Sequence, residues 1–153
     1  MTKINVIPYQ SKHHKYFREL SLEWLNKYDL YEDEDGYMLD NPDKLILDKG
    51  GVIYMAEVSG KIVGVIALTI VSNEIYEIHK LGVAGNYHGQ GIGLKLMNHC
   101  LDYCKNKGAK KVVLETNTKL EGAMRLYSKL GFTEIAMIDV KYEKSNYKME
   151  LIF

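Results

Sequence analysis

Apolar residues along the chain follow two kinds of pattern, which predict two kinds of element. Apolar side chains recur at helical spacing over residues 12–28 and 92–107, and each stretch predicts an amphipathic helix. Shorter apolar or alternating runs predict seven strands, over residues 3–7, 52–58, 61–71, 75–83, 111–115, 132–138 and 147–153. The run over 61–71 is almost continuously apolar, so we expect that strand to be central and covered on both faces.

Turn and capping signals divide these elements. Asn41-Pro42 predicts the start of a short second helix that Gly50-Gly51 closes, and Ser59-Gly60 predicts a tight hairpin. Thr118-Lys-Leu-Glu121 is typical of a capping box and predicts the start of a fourth helix. The order of elements predicts one α/β (α+β) domain over residues 1–153, with a mixed sheet of six or seven strands flanked by four helices.

Composition and charge narrow the possible functions. The chain has 20 basic and 20 acidic residues, so no net field would attract nucleic acid or an anionic membrane. Cys100 and Cys104 lie four apart on a predicted helix, which fits one buried face better than a metal site. No secretory signal is visible at the N-terminus, and the longest apolar stretch is too short to span a bilayer. We expect no metal and no nucleic-acid or membrane partner, in a cytoplasmic protein.

A glycine-rich turn carries the first functional signal. Residues 88–93, His-Gly-Gln-Gly-Ile-Gly, lie between a predicted strand and a predicted helix. Backbone N–H groups gathered at such a helix N-terminus can bind a phosphate. Leu94 stands where the last glycine of a dinucleotide-binding GxGxxG motif would be, and the GK[ST] ending of a P-loop is missing. Both departures argue against a nucleotide-binding enzyme.

Several motifs together resemble a known family. The stretches 77–83, 87–93 and 123–132, with Asn117 between the last two, are similar to those of the GNAT N-acetyltransferases. The glycine motif followed about forty residues later by Leu-Tyr-Ser-Lys-Leu-Gly-Phe is what makes the likeness specific. One residue departs from the family pattern: His88 occupies a position where the family usually has Arg or Gln.

The resemblance implies acetyl-CoA as co-substrate and assigns its binding residues. The CoA pyrophosphate would lie over the turn of His88 and Gly89, bonded by the amides of Gln90, Gly91, Ile92, Gly93 and Leu94. Backbone groups of Leu81, Gly82 and Val83 would hold the pantetheine arm and stabilise the oxyanion. Asn117 would cap the next helix or contact the CoA arm, and its alternative is a plain turn residue.

The resemblance also implies catalytic roles. Tyr127 matches the family's general acid, which protonates the leaving thiolate. Its alternative is a core residue, because it shares a helical stripe with Leu120, Ala123 and Leu130.

Glu77 and His79 are the candidates for the base that deprotonates the acceptor amine. They point to the same face of one strand, and the pKa of an unperturbed histidine lies near 6.5. Their alternative is that they are ordinary polar residues on an exposed strand face.

The acceptor is not identified by any motif. We expect a primary amine on a small molecule or a peptide, attacked directly in a ternary complex, by an enzyme that is a monomer or homodimer. The predicted acidic loop over residues 29–36 contains Glu32, Asp33, Glu34 and Asp35, which would suit a cationic amine or polyamine or would simply be solvated. A non-catalytic acyl-CoA-binding module on the same fold is the alternative to an enzyme.

Overall fold

One mixed sheet forms the framework of the protein. The computed structural model describes residues 3–153. Its strands are β1 (Ile4–Pro8), β2 (Val52–Val58), β3 (Lys61–Ile70), β4 (Ile75–Val83), β5 (Lys111–Thr116), β6 (Thr133–Ile135) and β7 (Tyr147–Ile152). Its helices are α1 (His14–Lys27), α2 (Asp33–Asp40), α3 (Ile92–Asn106) and α4 (Glu121–Lys129). The prediction of a mixed sheet flanked by four helices is therefore confirmed.

Strand order in the sheet places β4 and β5 side by side at its middle. The order is β1-β2-β3-β4-β5-β7-β6, and every neighbouring pair is antiparallel except β4 and β5, which run parallel. Their pairing runs from Ile75 opposite Lys111 to Ile78 opposite Leu114. Over the described residues it does not continue further, so residues 79–83 separate from β5 and the sheet splits open there.

A β-bulge lies at the point where the split begins. Val65 of β3 pairs with Gly82, and Ala67 pairs with His79. Two residues of β4, Lys80 and Leu81, therefore lie opposite the single β3 residue between Val65 and Ala67. Lys80 has a left-handed φ of 55°, which accommodates the extra residue. The bulge reverses the alternation of side chains along β4. As a result His79 and Lys80 point to the same side of the sheet.

The two faces of the sheet bury separate apolar cores. On one face, Val65 and Ala67 of β3 pack with Phe17 of α1 and Leu39 of α2. On the other face, the main contributors from β3, α3 and α4 are Ile66, Leu68, Ile92, Leu96, Met97 and Tyr127. Strand β3 is thus central and covered on both sides, as its apolar run predicts.

The acidic stretch over residues 29–36 is not a loop throughout, so that prediction is wrong. Helix α2 begins at Asp33, inside the stretch, and the segment after Asn41-Pro42 is only a π-helical turn over Asp43–Leu47. The reason is local electrostatics and capping. The backbone N–H of Glu32 donates to the Asp35 carboxylate at 2.9 Å, and carboxylates in a first helical turn are favoured by the helix dipole.

Two further boundaries differ from the sequence prediction. Thr118 does not cap α4, which begins at Glu121, because the Thr118 hydroxyl and backbone N–H are both bonded to Asn146. Strand β6 ends at Ile135, and residues 136–146 instead form an irregular connection that crosses the split. We call this connection the strap.

Removing a buried side chain from α3 should destabilise the fold. Leu96 is fully buried between α3 and the sheet, so Leu96→Ala should lower the free energy of unfolding by about 2–5 kcal/mol. Urea unfolding followed by circular dichroism measures this loss. Asn98→Ala, at an exposed position of the same helix, is the matched control and should change it by less than about 0.5 kcal/mol. Equal effects of the two substitutions would contradict the packing described here.

Candidate active site

A cleft of about 770 Å³ follows the split in the sheet. One end lies at the glycine turn between β4 and α3, and the other end lies under α1, α2 and the strap. Its walls are β4 beyond Ile78, the end of β5 and the cleft-facing side of α4. The cleft therefore connects the glycine turn with Tyr127 and His79, whereas Gln90, Leu94 and Glu77 do not line it.

The glycine turn presents free backbone donors to this cleft. Gly89 and Gly91 have φ of 79° and 81°, in the left-handed region that favours glycine. Gly91 is the N-cap of α3 and makes no side-chain capping bond. The first helical hydrogen bond runs from the Lys95 N–H to the Gly91 carbonyl at 3.1 Å. The N–H groups of residues 92–94 thus lack helical partners, which is the arrangement that binds a phosphate.

The side chain of His88 turns away from this role. Its Nε2 lies 2.7 Å from the carbonyl oxygen of Val83, the last residue of β4. The imidazole therefore braces the turn against the strand. Arg125 on α4 is an exposed cation that lines the cleft, and the sequence analysis did not single it out.

Leu81, Gly82 and Val83 form the β4 wall of the cleft. A side chain at position 82 would come within 3.1 Å of Trp24 Nε1 and 3.2 Å of the Leu20 carbonyl oxygen. Glycine relieves close packing at this position, because α1 lies directly against the strand. The indole N–H of Trp24 is buried and has no hydrogen-bond partner among the described residues.

Tyr127 lies both in the apolar core and at the wall of the cleft. It packs in the core, where its ring centroid lies 6.0 Å from that of Phe132, and it also lines the cleft. Burial raises the pKa of its hydroxyl, so the group stays protonated.

Asn117 acts as a turn residue in this structure. Its Oδ1 accepts the backbone N–H of Lys119 at 2.9 Å, and its Nδ2 donates to the Lys144 carbonyl of the strap at 2.8 Å. Both polar atoms of the side chain are engaged within the protein, although the residue lies at the wall of the cleft.

Glu77 and His79 are buried, not exposed as their alternative interpretation required. They are 8% and 5% exposed. Nε2 of His79 lies 2.9 Å from Thr69 Oγ1 and 3.5 Å from the Glu77 carboxylate. Burial lowers the pKa of His79 and the hydrogen bond to Glu77 only partly opposes this effect. The imidazole is therefore neutral near pH 7.

The pKa of Glu77 is also lowered, by a different balance. Burial alone would raise it, but the hydrogen bond with His79, the charge that His79 carries when protonated, and the positive charges of Lys141 and Lys148 together outweigh burial. Glu77 is therefore a buried carboxylate beside a neutral imidazole, which is the composition of a general-base pair.

Three residues that the sequence analysis did not assign to catalysis lie against this pair. Lys80 forms a buried ion pair with Asp35 of α2. Tyr142 of the strap contacts both His79 and Lys80, with its ring 4.5 Å below the Lys80 ammonium. The one sequence signal was a third polar side chain, Lys80, on the strand that carries Glu77 and His79. Nothing local indicated that Tyr142, 63 residues from His79, would meet it.

The carboxylates of the acidic stretch are largely engaged within the protein. Glu32 accepts the backbone N–H groups of Glu143 and Lys144, at 2.9 Å and 3.0 Å, and Asp35 pairs with Lys80. Asp33 and Glu34 are exposed and do not line the cleft.

Residues 3–153 contain no cluster of histidine, cysteine or acidic side chains arranged to bind a metal ion, and no helix long and apolar enough to cross a bilayer. Cys100 and Cys104 are fully buried, and burial raises the pKa of Cys104 to about 12. Neither thiol is a nucleophile in this environment.

Comparison with known proteins matches most of the chain to one family. A family model described as the acetyltransferase (GNAT) family covers residues 15–132. An uncharacterised N-acetyltransferase of Methanocaldococcus jannaschii is 32% identical over 117 residues, which are 72% of this chain and 45% of that protein. The chain spans about half the length of the curated relatives it matches.

Solved structures share the fold over nearly its full length. A GNAT-family acetyltransferase from Staphylococcus aureus Mu50 has a TM-score of 0.88 at 26% identity, covering 98% of this chain and 99% of that chain. A GNAT-family acetyltransferase from Elizabethkingia anophelis, solved with acetyl-CoA bound, has a TM-score of 0.73 at 22% identity, covering 98% of each chain. The chain belongs to the GNAT family of acetyltransferases.

Proposed function

We propose that the protein is an acetyl-CoA-dependent N-acetyltransferase that acts on a primary amine by direct attack in a ternary complex. The observation that carries this proposal is the cleft itself. It joins the free N–H groups at the start of α3 to Tyr127 on one wall and to His79, which is backed by Glu77, near its other end. This continuity supports a phosphate site, an acid and a base that act on one bound thioester.

The donor half of the cleft suits a CoA thioester. The amides of residues 90–94, set by the left-handed Gly89 and Gly91, would hold the pyrophosphate, and His88 would brace the turn from behind. The wall formed by Leu81, Gly82 and Val83 has lost its β5 partner, so its backbone groups are available to the pantetheine arm and the thioester carbonyl. Asn117 would shape this wall through its turn.

The reaction needs an acid and a base on opposite sides of the thioester. The neutral hydroxyl of Tyr127 would protonate the departing thiolate, for which a phenol is a suitable donor. The Glu77–His79 pair would take the proton of the acceptor ammonium. Direct attack by the amine needs no covalent acyl-enzyme, and neither cysteine would form one, because both are buried away from solvent.

The acceptor half of the cleft is bounded by Trp24, Tyr28 and Tyr142. These side chains would admit a primary amine on a small molecule or a peptide. The acidic composition of residues 32–35 favoured a polyamine as the acceptor. The structure gives that acceptor less support, because Glu32 and Asp35 are engaged in internal bonds.

Blocking the glycine turn should abolish CoA binding. At Gly91 a side chain would project into open space at the turn, so Gly91→Val should weaken CoA binding at least ~100-fold by obstructing the phosphate site. Isothermal titration calorimetry with CoA measures the effect.

Gly108→Val is the matched control for this substitution. Gly108 has the same left-handed φ, 80°, and equally open space, but it lies at the far end of α3. It should bind CoA normally. An unchanged CoA dissociation constant in Gly91→Val would overturn the assignment of the turn.

Removing the phenol of Tyr127 should affect chemistry more than binding. Tyr127→Phe should lower kcat ~100-fold while the acetyl-CoA dissociation constant changes little, because the ring still packs and only the proton donor is lost. Release of the CoA thiol measures turnover. Tyr103→Phe, on α3 outside the cleft lining, is the control. A kcat within twofold of wild type for Tyr127→Phe would rule out this acid.

Turnover distinguishes an enzyme from a binding module. We expect wild-type protein to release CoA thiol from acetyl-CoA in the presence of some member of a panel of primary amines and N-terminal peptides, with the acetylated amine found by mass spectrometry. The buried pairing of Glu77 with His79 favours catalysis, since a binding module has no use for it. Tight CoA binding without transfer to any amine would support the module instead.

A further inference from the structure

We propose that Tyr142 is a further catalytic residue, which receives the proton of the acceptor amine and passes its own hydroxyl proton to Nδ1 of His79. This inference rests on the proposed function. The contact that carries it is the approach of the Tyr142 hydroxyl to His79 Nδ1 at 3.4 Å, at the wall of the cleft. Hydrogen bonds of this length in an unliganded site commonly shorten when substrate binds.

The bonds of His79 determine which of its nitrogens can take a proton. Nε2 faces the Glu77 carboxylate, which can only accept, and the Thr69 hydroxyl. Nε2 therefore carries the hydrogen, which leaves Nδ1 as the acceptor. Nδ1 is the atom that faces Tyr142, so the free lone pair of the base points to the strap.

The Lys80–Asp35 pair fixes the direction of the Tyr142 hydroxyl. Nζ of Lys80 lies 3.5 Å from the Tyr142 oxygen and has only hydrogens to offer, so the phenol can accept from it but cannot donate to it. The hydroxyl hydrogen can then go to His79 Nδ1 at 3.4 Å or to Met38 Sδ at 3.9 Å, and the imidazole nitrogen is the stronger acceptor of the two. Asp35 holds the ammonium in place through the ion pair. Lys80 and Asp35 are thus positioning residues.

The strap places the phenol independently of these contacts. The Glu115 carboxylate at the end of β5 accepts the backbone N–H groups of Lys141 and Tyr142, at 2.7 Å and 3.1 Å. The position of Tyr142 over β4 is therefore set by its main chain as well as by its side chain.

Each proton that moves in this reaction has a defined donor and acceptor. The acceptor ammonium gives one proton to the Tyr142 oxygen while the phenol gives its own to His79 Nδ1, which leaves a neutral amine, a neutral phenol and an imidazolium beside Glu77. The amine nitrogen forms a bond to the acetyl carbon, and the C–S bond breaks as Tyr127 protonates the thiolate. The second amine proton restores Tyr127. The imidazolium then returns its proton through Tyr142 to solvent.

Several charges act on His79 during this cycle. Glu77 on the same strand stabilises its protonated form, while Lys80 and Lys141 oppose it, and Asp35 partly compensates Lys80. Burial dominates and lowers the pKa of the imidazole below its usual 6.5. Because the neutral form is the active one, kcat/KM for the acceptor should fall only as pH drops below 6.5 and His79 takes a proton.

The test is a comparison of two acceptors in Tyr142→Phe. With an accepted alkylamine at pH 7, kcat should fall ~100-fold while the KM for acetyl-CoA is unchanged. With the β,β,β-trifluorinated analogue of that amine, which is predominantly the free base at pH 7, the loss should shrink to less than ~10-fold, because no proton has to be removed first. Tyr37→Phe, at an exposed position on α2, should behave as wild type with both amines.

Equal losses with the two amines, or no loss with either, would overturn the relay. Either result differs from failure of the proposed function, in which wild-type protein itself transfers acetyl to no amine.

A second measurement needs no acceptor. In the ¹⁵N NMR spectrum of the free protein, Nδ1 of His79 should be unprotonated and hydrogen-bonded, and Tyr142→Phe should move its shift toward that of a free imidazole nitrogen. A proton on Nδ1 in wild type, or an unchanged shift in Tyr142→Phe, would overturn the relay even if no acceptor amine were found.

Discussion

The end of pairing between β4 and β5 is the constraint on which the rest of the site depends. Backbone N–H and C=O groups in the interior of a protein need partners, and in a closed sheet the neighbouring strand supplies them. Beyond Ile78 and Leu114 the two strands are no longer paired. The backbone groups on this edge of β4 therefore face the cleft, where a ligand can bind them. The glycine turn, α4 and the strap are all arranged along this edge.

The bulge at Lys80 turns this opening into an asymmetric site. Without it, Lys80 would point with Ile78 into the apolar core under α3, where an ammonium would have no partner. The extra residue directs Lys80 to Asp35 instead and keeps it beside His79. A strained φ of 55° is thus balanced by a buried ion pair, and the same distortion gathers three polar side chains at one end of the cleft.

Much of the fold followed from the sequence because its signals are local. The apolar runs located all seven strands, and the glycine turn was found from residues 88–93 alone. Helix α2 was missed because carboxylates within a first helical turn resemble a solvated loop when only composition is considered. The buried state of Glu77 and His79 could not be predicted either, since it depends on the strap, which returns to them from more than 50 residues away.

The donor end of the site could be predicted from the sequence better than the acceptor end, for the same reason. The donor end uses main-chain groups whose geometry is imposed by glycines in one short segment. The acceptor end uses side chains from β4, α2 and the strap, which meet only in three dimensions. Long-range contacts of this kind leave no periodicity or spacing in a single sequence.

The bonds that hold the strap have a thermodynamic consequence for substrate binding. Glu32, Glu115, Asn117 and Thr118 connect it to α2, β5 and the turn before α4, Thr118 through Asn146 of the strap. The entropy of ordering this segment is thereby lost during folding. An acceptor entering the cleft does not have to order it again, so more of its contact energy is available for affinity and for discrimination between amines.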